Sequence, residues 1–592
     1  MKTKRERGGD KAGALIRGIL VSSQWMIIGL LVFDLGFSRS GEVRELMGLC
    51  YLLSMPLVLL MTLLWLWLIG KKDNKALLQI SAILLTVLLL LSFVSAFHFS
   101  GGWDFIGVRA LSIPGLLLYL FLQLLPSVRK LYHAFYNPAL LFIASFATIT
   151  VFGAILLKLP KATTTSISWV DAFFTASSAV SVTGLAVVDT GTVFTRFGQW
   201  VILILIQFGG LGVLTFTSFF SFFFKGGSSY REGLYVKDFL SSDNLSNVLK
   251  LAVKIVVFTL GIELLGMFGI WWFTSEVQKG MVLSDQLFFS FFHAVSAFCN
   301  AGFSSLSAGL YDPAYRFLYG FHWIVASLLI LGGLGFNIVF NFVEYVKIFS
   351  GKISRWTHAG GRLVKPVRVI TLNAYLVLVT TAILLVGGTL LMYLFEKDNI
   401  LAEHSSWWGK FTTAFFCAAS PRTAGFNSFD MTALSMPSIL LMLLLMWIGA
   451  SPASTGGGIK TSTFAISMLN ILAVARGRNF LEIKNREIAD TSVKRAFAII
   501  SISLLIIGLA VFLVSWFEPG KELMLIAFEC FSAYSTVGLS LGLTSQLSDA
   551  SKITIMLVMF VGRIGTLNLL IGLMRQLNGR HYQYPQENIL IN

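Results

Sequence analysis

Four short segments of the 592-residue chain share one arrangement of residues: VTGLA at 182–186, NAGFS at 300–304, TAGFN at 423–427 and TVGLS at 536–540. Each centres on a glycine, Gly184, Gly302, Gly425 or Gly538, and each glycine precedes a bulky apolar residue, Leu185, Phe303, Phe426 or Leu539. Ten residues upstream stands Phe174, Phe292, Phe415 or Phe528, and six upstream a small residue, Ser178, Ser296, Ala419 or Ser532. These segments carry no charged side chain, so the chemistry open to them is that of the backbone. Glycine tolerates the positive φ that turns successive carbonyls to one side. Carbonyl oxygens gathered around an axis can then replace the water around a cation. A single glycine of this kind would suit close helix packing as well; four in matching context point to a shared cavity.

The elements that must position these turns are apolar helices. The chain is 56% hydrophobic and only 12% charged, with a mean hydropathy of +0.79, which places it among membrane proteins rather than soluble domains. Four apolar stretches near 14–36, 48–70, 75–98 and 110–125 open the sequence. From Asn137 onward the order changes to a long span (M1), an apolar segment too short to cross a bilayer, a glycine turn and another long span (M2). The long spans are expected near 138–158 and 197–224, 248–274 and 317–349, 369–395 and 434–475, and 492–516 and 551–576. The fold class expected is therefore an all-α polytopic membrane protein, with four M1–pore helix–M2 repeats around one pore and about four extra transmembrane helices in front. Its units are a four-span block at 1–136 and repeats at 137–247, 248–368, 369–491 and 492–592. A re-entrant hairpin between two spans returns the chain to its starting side, so all four repeats share one orientation. Asp171, Asp285 and Glu522 lie near the starts of three pore helices, suited to their positive poles.

The formal net charge of +16 resides in short pieces between spans, which excludes a nucleic-acid-binding domain. Lys2, Lys4, Arg5, Arg7 and Lys11 at the start, and Lys352, Arg355, Arg362, Lys365 and Arg368 in 351–368, read as cytoplasmic by the positive-inside rule. Both termini are then cytoplasmic, and the first apolar stretch is a retained span rather than a cleaved signal. Cys50, Cys299, Cys417 and Cys530 have neither paired nor metal-ligand spacing and read as buried small residues.

The M2 of the third repeat, IGASPASTGGGIKTST at 448–463, is interrupted by Gly449, Pro452 and Gly456 to Gly458. Proline weakens a helix interior by roughly 3 kcal/mol and glycine by roughly 1 kcal/mol relative to alanine, so a loop is expected. Arg563 falls within the fourth M2, where an ionisable group costs roughly 2.5 to 3.5 kcal/mol. It must face the pore or a partner; supplying positive charge beside the loop and a structural ion pair or snorkelling are both open.

These motifs, SAVSVTGL (178–185), FCNAGF (298–303), SPRTAGF (420–426), STVGL (535–539), the interrupted span and GRIGTLNL (562–569), closely resemble the Trk/Ktr/HKT superfamily of cation transporters, specifically the bacterial TrkH/KtrB membrane subunits, over roughly Asn137 to Leu577. The resemblance implies potassium uptake through a selectivity filter in which K+ meets the carbonyls of Val182, Thr183 and Gly184; Asn300, Ala301 and Gly302; Thr423, Ala424 and Gly425; and Thr536, Val537 and Gly538. It implies a movable intramembrane gate comprising Gly449, Ser454, Thr455, Gly456, Gly457, Gly458 and Lys460, with Arg563. Glycine at the first-repeat position, Gly184, goes with potassium selectivity in that family, where serine marks sodium-preferring plant relatives. The family also implies a homodimer in the inner membrane and a separate cytosolic ring of nucleotide-binding RCK subunits of the TrkA/KtrA kind. This chain itself would hold no cofactor, and loops 225–247, 351–368 and 476–495 would be the docking surface. The leading four-span block departs from the minimal family core.

Other signals are weaker. STGGGIKTS (454–462) fails as a phosphate loop because Ile459 stands before Lys460, and GGLG at 209–212 and 332–335 lacks dinucleotide-site context and suits close helix packing. His293 reads as structural. Asp34 and Glu263 are unusual in apolar spans, and an ion-path role and a structural hydrogen-bonding role are open for each. A sodium- or proton-coupled secondary transporter is the alternative function, disfavoured by the parallel repeats. A membrane enzyme would need acidic or histidine clusters that the sequence does not offer.

Overall fold

The computed structural model of the chain describes residues 4–37, 41–69, 75–98, 105–134, 138–212, 248–336, 338–345, 370–452, 454–478 and 480–565. The expected cytoplasmic segments 225–247 and 351–368, and the tail beyond 565, lie outside the described residues. Lipid offers backbone N–H and C=O groups no partner, so an apolar segment that crosses must satisfy its own by coiling. The described residues are accordingly helical, with only isolated β-bridges between loops.

The leading block is α1 (Lys4–Phe37), α2 (Gly41–Ile69), α3 (Lys75–His98) and α4 (Phe105–Ala134). Its core joins Ile27, Tyr51, Met55, Leu85, Leu116 and Tyr119. Within it Arg109 Nε donates to both oxygens of Asp34 at 2.9 Å, and the Tyr51 hydroxyl donates to Asp34 Oδ2 at 2.9 Å. Asp34 is thus paired inside this block. The block meets the rest of the chain where Lys161 N–H donates to the carbonyl of Gly36 at 2.9 Å.

A long helix, a short helix and a second helix then follow one another repeatedly: α5 (Pro138–Leu157), α6 (Trp169–Ser181) and α7 (Arg196–Leu211); α8 (Val248–Thr274), α9 (Leu283–Phe298) and α10 (Tyr319–Leu334); α11 (Leu372–Glu396), α12 (Trp407–Ala419) and the halves α13 (Met436–Trp447) and α14 (Thr461–Ala475); α15 (Asp490–Phe517), α16 (Leu523–Tyr534) and α17 (Asp549–Ile564). Among the described residues, α1, α2, α3, α8, α11 and α15 are long and apolar enough to cross a membrane. The short helices α6, α9, α12 and α16 have 13, 16, 13 and 12 residues, or about 18 to 24 Å at roughly 1.5 Å per residue, less than the ~30 Å hydrocarbon core. Small side chains such as Ala172, Ala176 and Ala179 let their neighbours close in, and these helices are buried along most of their length.

Three of the second helices break within the spans that the sequence predicts. Instead of unbroken spans over 197–224, 317–349 and 551–576, α7, α10 and α17 stop at Gly212, Gly335 and Gly565, with φ of 76°, 84° and 85°. A positive φ is left to glycine and ends the helix there. After Gly335, Ile338–Tyr345 resumes helically at 103° to α10. Long helices are also tied to second helices at their far ends. Glu396 accepts from the Ser435 backbone N–H at 3.0 Å and its hydroxyl at 2.6 Å, and Glu518 accepts from Ser548 N–H at 2.6 Å. Burial pushes the Glu518 carboxyl up, but the hydrogen bonds from Ser548 and Ser551 outweigh it and hold the group below its ordinary range.

Each second helix leans on the following short helix. Arg196 of α7 pairs with Asp285 of α9 and lies 3.6 Å over the Phe288 ring. Trp323 of α10 donates to Thr412 of α12 at 3.1 Å, Met442 and Met446 of α13 share a buried cluster with Phe528 of α16, and Lys552 of α17 lies 2.7 Å from Asp171 of α6. The last contact closes the circuit.

Candidate functional site

The four glycine turns lie directly after the carboxyl ends of α6, α9, α12 and α16, and their backbones follow one pattern. Val182, Asn300, Thr423 and Thr536, each two residues before its glycine, have φ of 57°, 61°, 69° and 49°; Gly184, Gly302, Gly425 and Gly538 have φ of 91°, 69°, 76° and 93°. Three of these four non-glycine residues are β-branched, for which a left-handed conformation costs on the order of 1 to 3 kcal/mol. Strain held at the same place in four turns marks a position where backbone geometry matters more than stability. The turns are held by their own short helices: Thr183 N–H donates to Ser178 O at 2.8 Å, Ala301 N–H to Ser296 O at 2.7 Å and Val537 N–H to Ser532 O at 2.9 Å. The third turn differs, Ala424 N–H reaching Ser420 O at 3.0 Å.

Spatially the turns form a closed ring. A β-carbon on Gly184 would stand 2.2 Å from the carbonyl oxygen of Ala301; on Gly302, 2.8 Å from that of Ala424; on Gly425, 2.2 Å from that of Val537; and on Gly538, 2.1 Å from that of Thr183. Each turn therefore places the oxygen of the residue before its glycine against the glycine of the preceding turn, and the fourth returns to the first. All twelve residues from Val182 to Gly184, Asn300 to Gly302, Thr423 to Gly425 and Thr536 to Gly538 are brought together here. The short helices end at this ring, so their partial negative charges, roughly half an elementary charge each before screening, favour a cation.

The break in the third M2 spans 448–460, between α13 and α14, and runs beneath the ring on the side where the short helices end. Gly457 N–H donates to Thr536 Oγ1 at 3.1 Å, and a β-carbon on Gly456 would stand 2.1 Å from Thr423 Oγ1. Only glycine allows the loop this close. Thr455 donates to Phe298 O at 3.3 Å, Ser451 N–H donates to Gly333 O at 3.0 Å, and Gly449 packs on Gly457. Ser454 turns back to Ser451 O at 2.6 Å, Gly458 packs against Ser535, and Lys460 donates to Gly456 O at 2.7 Å. Arg563 donates to the carbonyls of Thr455 in the loop and Gly209 in α7. Its partners are thus backbone oxygens rather than an acid.

The GGLG runs serve packing at their first glycine and helix termination at their last. A β-carbon on Gly209, Gly332 or Gly562 would strike the carbonyl of Val180, Phe298 or Tyr534, each four residues before a ring glycine. Glu263 of α8 accepts from Gln207 at 3.1 Å, with Cys299 at 3.7 Å, a structural partnership behind the second turn. Cys299, Cys417 and Cys530 are buried and free. Glu529, fully buried in α16, was not singled out by any sequence signal; its position nine residues before Gly538, where His293 precedes Gly302, is the pattern that would have found it.

Fold and site together define a polytopic membrane protein of the cation-transporting class. A family model described as TrkH, cation transport protein, matches residues 122–580. The chain is 37% identical over 438 residues to the Ktr system potassium uptake protein B of Bacillus subtilis, covering 73% of this chain and 92% of that protein. It is 36% identical to the protein of the same name from Vibrio alginolyticus, covering 75% of this chain and 93% of that one. It is 33% identical to the potassium/sodium uptake protein NtpJ of Enterococcus hirae, covering 77% and 97%. The crystal structure of the potassium transporter TrkH from Vibrio parahaemolyticus shares the fold, with a TM-score of 0.57, 16% identity and coverage of 85% of this chain and 97% of that one. The chain belongs to the TrkH family of cation transport proteins.

Proposed function

We propose that the chain carries potassium ions into the cell across the cytoplasmic membrane, the ion shedding water at the glycine ring and passing down its electrochemical gradient. The observation that carries this reading is the closed succession of glycine-to-carbonyl approaches, 184 to 301, 302 to 424, 425 to 537 and 538 to 183. Backbone oxygens held by strained turns replace hydration without a charged side chain that would bind the ion too tightly to release. The loop at 448–460 acts as the gate: its hydrogen bonds to Thr536 and Gly333 and the Arg563 contacts hold it under the ring, and flux follows when they open. The relatives' names, potassium uptake and potassium/sodium uptake, agree with the ion. Two relatives are named as protein B of a Ktr system, a name that supports separate partner components; in this reading these are cytosolic RCK-type, nucleotide-binding subunits, and the family resemblance adds a homodimer. In this reading both termini lie on the cytoplasmic side, which the basic segments support by the positive-inside rule.

The test is flux in reconstituted vesicles with potassium and sodium compared. Gly184→Ser, Gly425→Ser and Gly538→Ser, which push a side chain to within 2.1 to 2.2 Å of the neighbouring carbonyl, are expected to lower potassium preference more than Gly302→Ser, where the nearest oxygen lies at 2.8 Å. Unaltered preference in all four would defeat the reading. Flux that stops without an opposing or accompanying sodium or proton gradient would favour a coupled transporter instead.

A further inference from the structure

Two of the four turns are braced from behind by an ionisable residue at the same place. In the second turn, His293 of α9, nine residues before Gly302, has Nδ1 at 2.9 Å from the Phe289 carbonyl and Nε2 at 3.0 Å from the hydroxyl of Ser304, two residues after the glycine. A carbonyl only accepts, so Nδ1 carries the hydrogen, and in the neutral ring Nε2 accepts from the Ser304 hydroxyl. In the fourth turn, Glu529 of α16, nine residues before Gly538, accepts from Ser540, again two residues after the glycine, and from Thr544 at 2.8 Å through its other oxygen. The match extends further. Ser304 Oγ accepts from Leu306 N–H at 3.0 Å, and Ser540 Oγ accepts from Gly542 N–H at 2.9 Å.

The first and third turns lack this device. Their corresponding residues are Thr175 with Ala186 and Phe416 with Asn427. Thr175 donates to Asp171 O at 2.9 Å within its own helix, and Asn427 donates sideways to Ala308 O at 3.2 Å. Because the ring runs first to second to third to fourth, the braced turns face each other across it. Both His293 and Glu529 are fully buried, and burying such groups is unfavourable unless every polar atom has a partner. Each has its partners here, and each meets the outer lip of a turn.

We propose that Glu529 and His293 are positioning residues for ion selection: through Ser540 and Ser304 they fix the outer ends of two opposite turns, so that the ring oxygens between them keep their spacing when an ion enters. This rests on the reading of the ring as the ion filter. Discrimination against a smaller ion weakens when the oxygens are freer to close in around it, so loosening the brace changes selectivity before it changes assembly.

The experiment uses the full-length chain in vesicles, with potassium and sodium permeability ratios measured for Ser540→Ala, Ser304→Ala, Glu529→Gln and Glu529→Leu. Ser540→Ala is expected to lower the potassium-to-sodium ratio by about tenfold, the effect of losing one buried hydrogen bond and leaving its partner unpaired, and Glu529→Leu, which also loses the bond from Thr544, by at least as much. Ser304→Ala, which removes a bond to a neutral ring, lowers it less. Glu529→Gln, whose amide oxygen still accepts from Ser540, stays within about twofold of the unaltered chain, and Ser540→Ala combined with Glu529→Leu is no worse than Glu529→Leu alone. If Glu529→Leu does not fold, the serine variants, which each lose one hydroxyl, carry the test. An unaltered ratio in Ser540→Ala and Ser304→Ala, with Gly538→Ser altering it, would overturn the brace and leave the filter standing. An unaltered ratio in Gly538→Ser as well would overturn both.

Discussion

Arg563 donates to one carbonyl in the loop at 448–460 and one in α7, so a single side chain fastens the loop to a neighbouring helix. Charge-assisted hydrogen bonds of this kind contribute about 1.5 to 3 kcal/mol each. Arg563→Ala is therefore expected to raise basal potassium flux in vesicles by about tenfold or more; flux at or below that of the unaltered chain would show that the guanidinium does not latch the loop. The sequence indicated that this residue needed a pore or a partner, because charge is costly in a bilayer, but not that both partners would be backbone oxygens. Sequence left Asp34 and Glu263 between two roles for the same reason: cost says a partner exists, and only packing supplies Arg109 and Tyr51 for one, Gln207 for the other. Glu529 escaped notice because its partner lies across a turn that local periodicity does not reveal.

At the scale of elements, the break between α13 and α14 is the one discontinuity that the sequence states openly, through Pro452 and three successive glycines. Deleting residues 454–458 removes the contacts to Thr536, Phe298 and Arg563 while leaving the ring residues in place. The expected outcome is a larger flux with potassium preference retained, read in the same vesicles; a closed pore would argue that the loop supports the path rather than obstructs it. The ends of α7, α10 and α17 were less legible. Apolar residues continue past Gly212, Gly335 and Gly565, so hydropathy sees one long span. The helix nevertheless stops where a glycine takes a positive φ, three residues after another glycine has let the helix settle on a carbonyl of the short helix.

Over the whole molecule, the leading block and the ring are separate structures joined near Gly36 and Lys161. The block's polar node is internal to it, which makes a prediction about stability rather than transport. Asp34→Leu strands the Arg109 guanidinium and should cost about 3 to 5 kcal/mol, whereas replacing both residues by leucine should recover most of that loss. The melting temperature in detergent checks this, and an equal loss in the single and double variants would contradict it. What the sequence by itself determined was the class of molecule, the helical content, the four turns and the interrupted span, because hydropathy and glycine placement act over a few residues at a time. Tertiary structure alone decided that each glycine faces the carbonyl of the next turn in a closed circuit, that the loop lies beneath it, and which buried charges meet. The ring contacts join residues more than a hundred positions apart and several of the others residues tens of positions apart, and their existence depends on how packed helices approach one another in three dimensions.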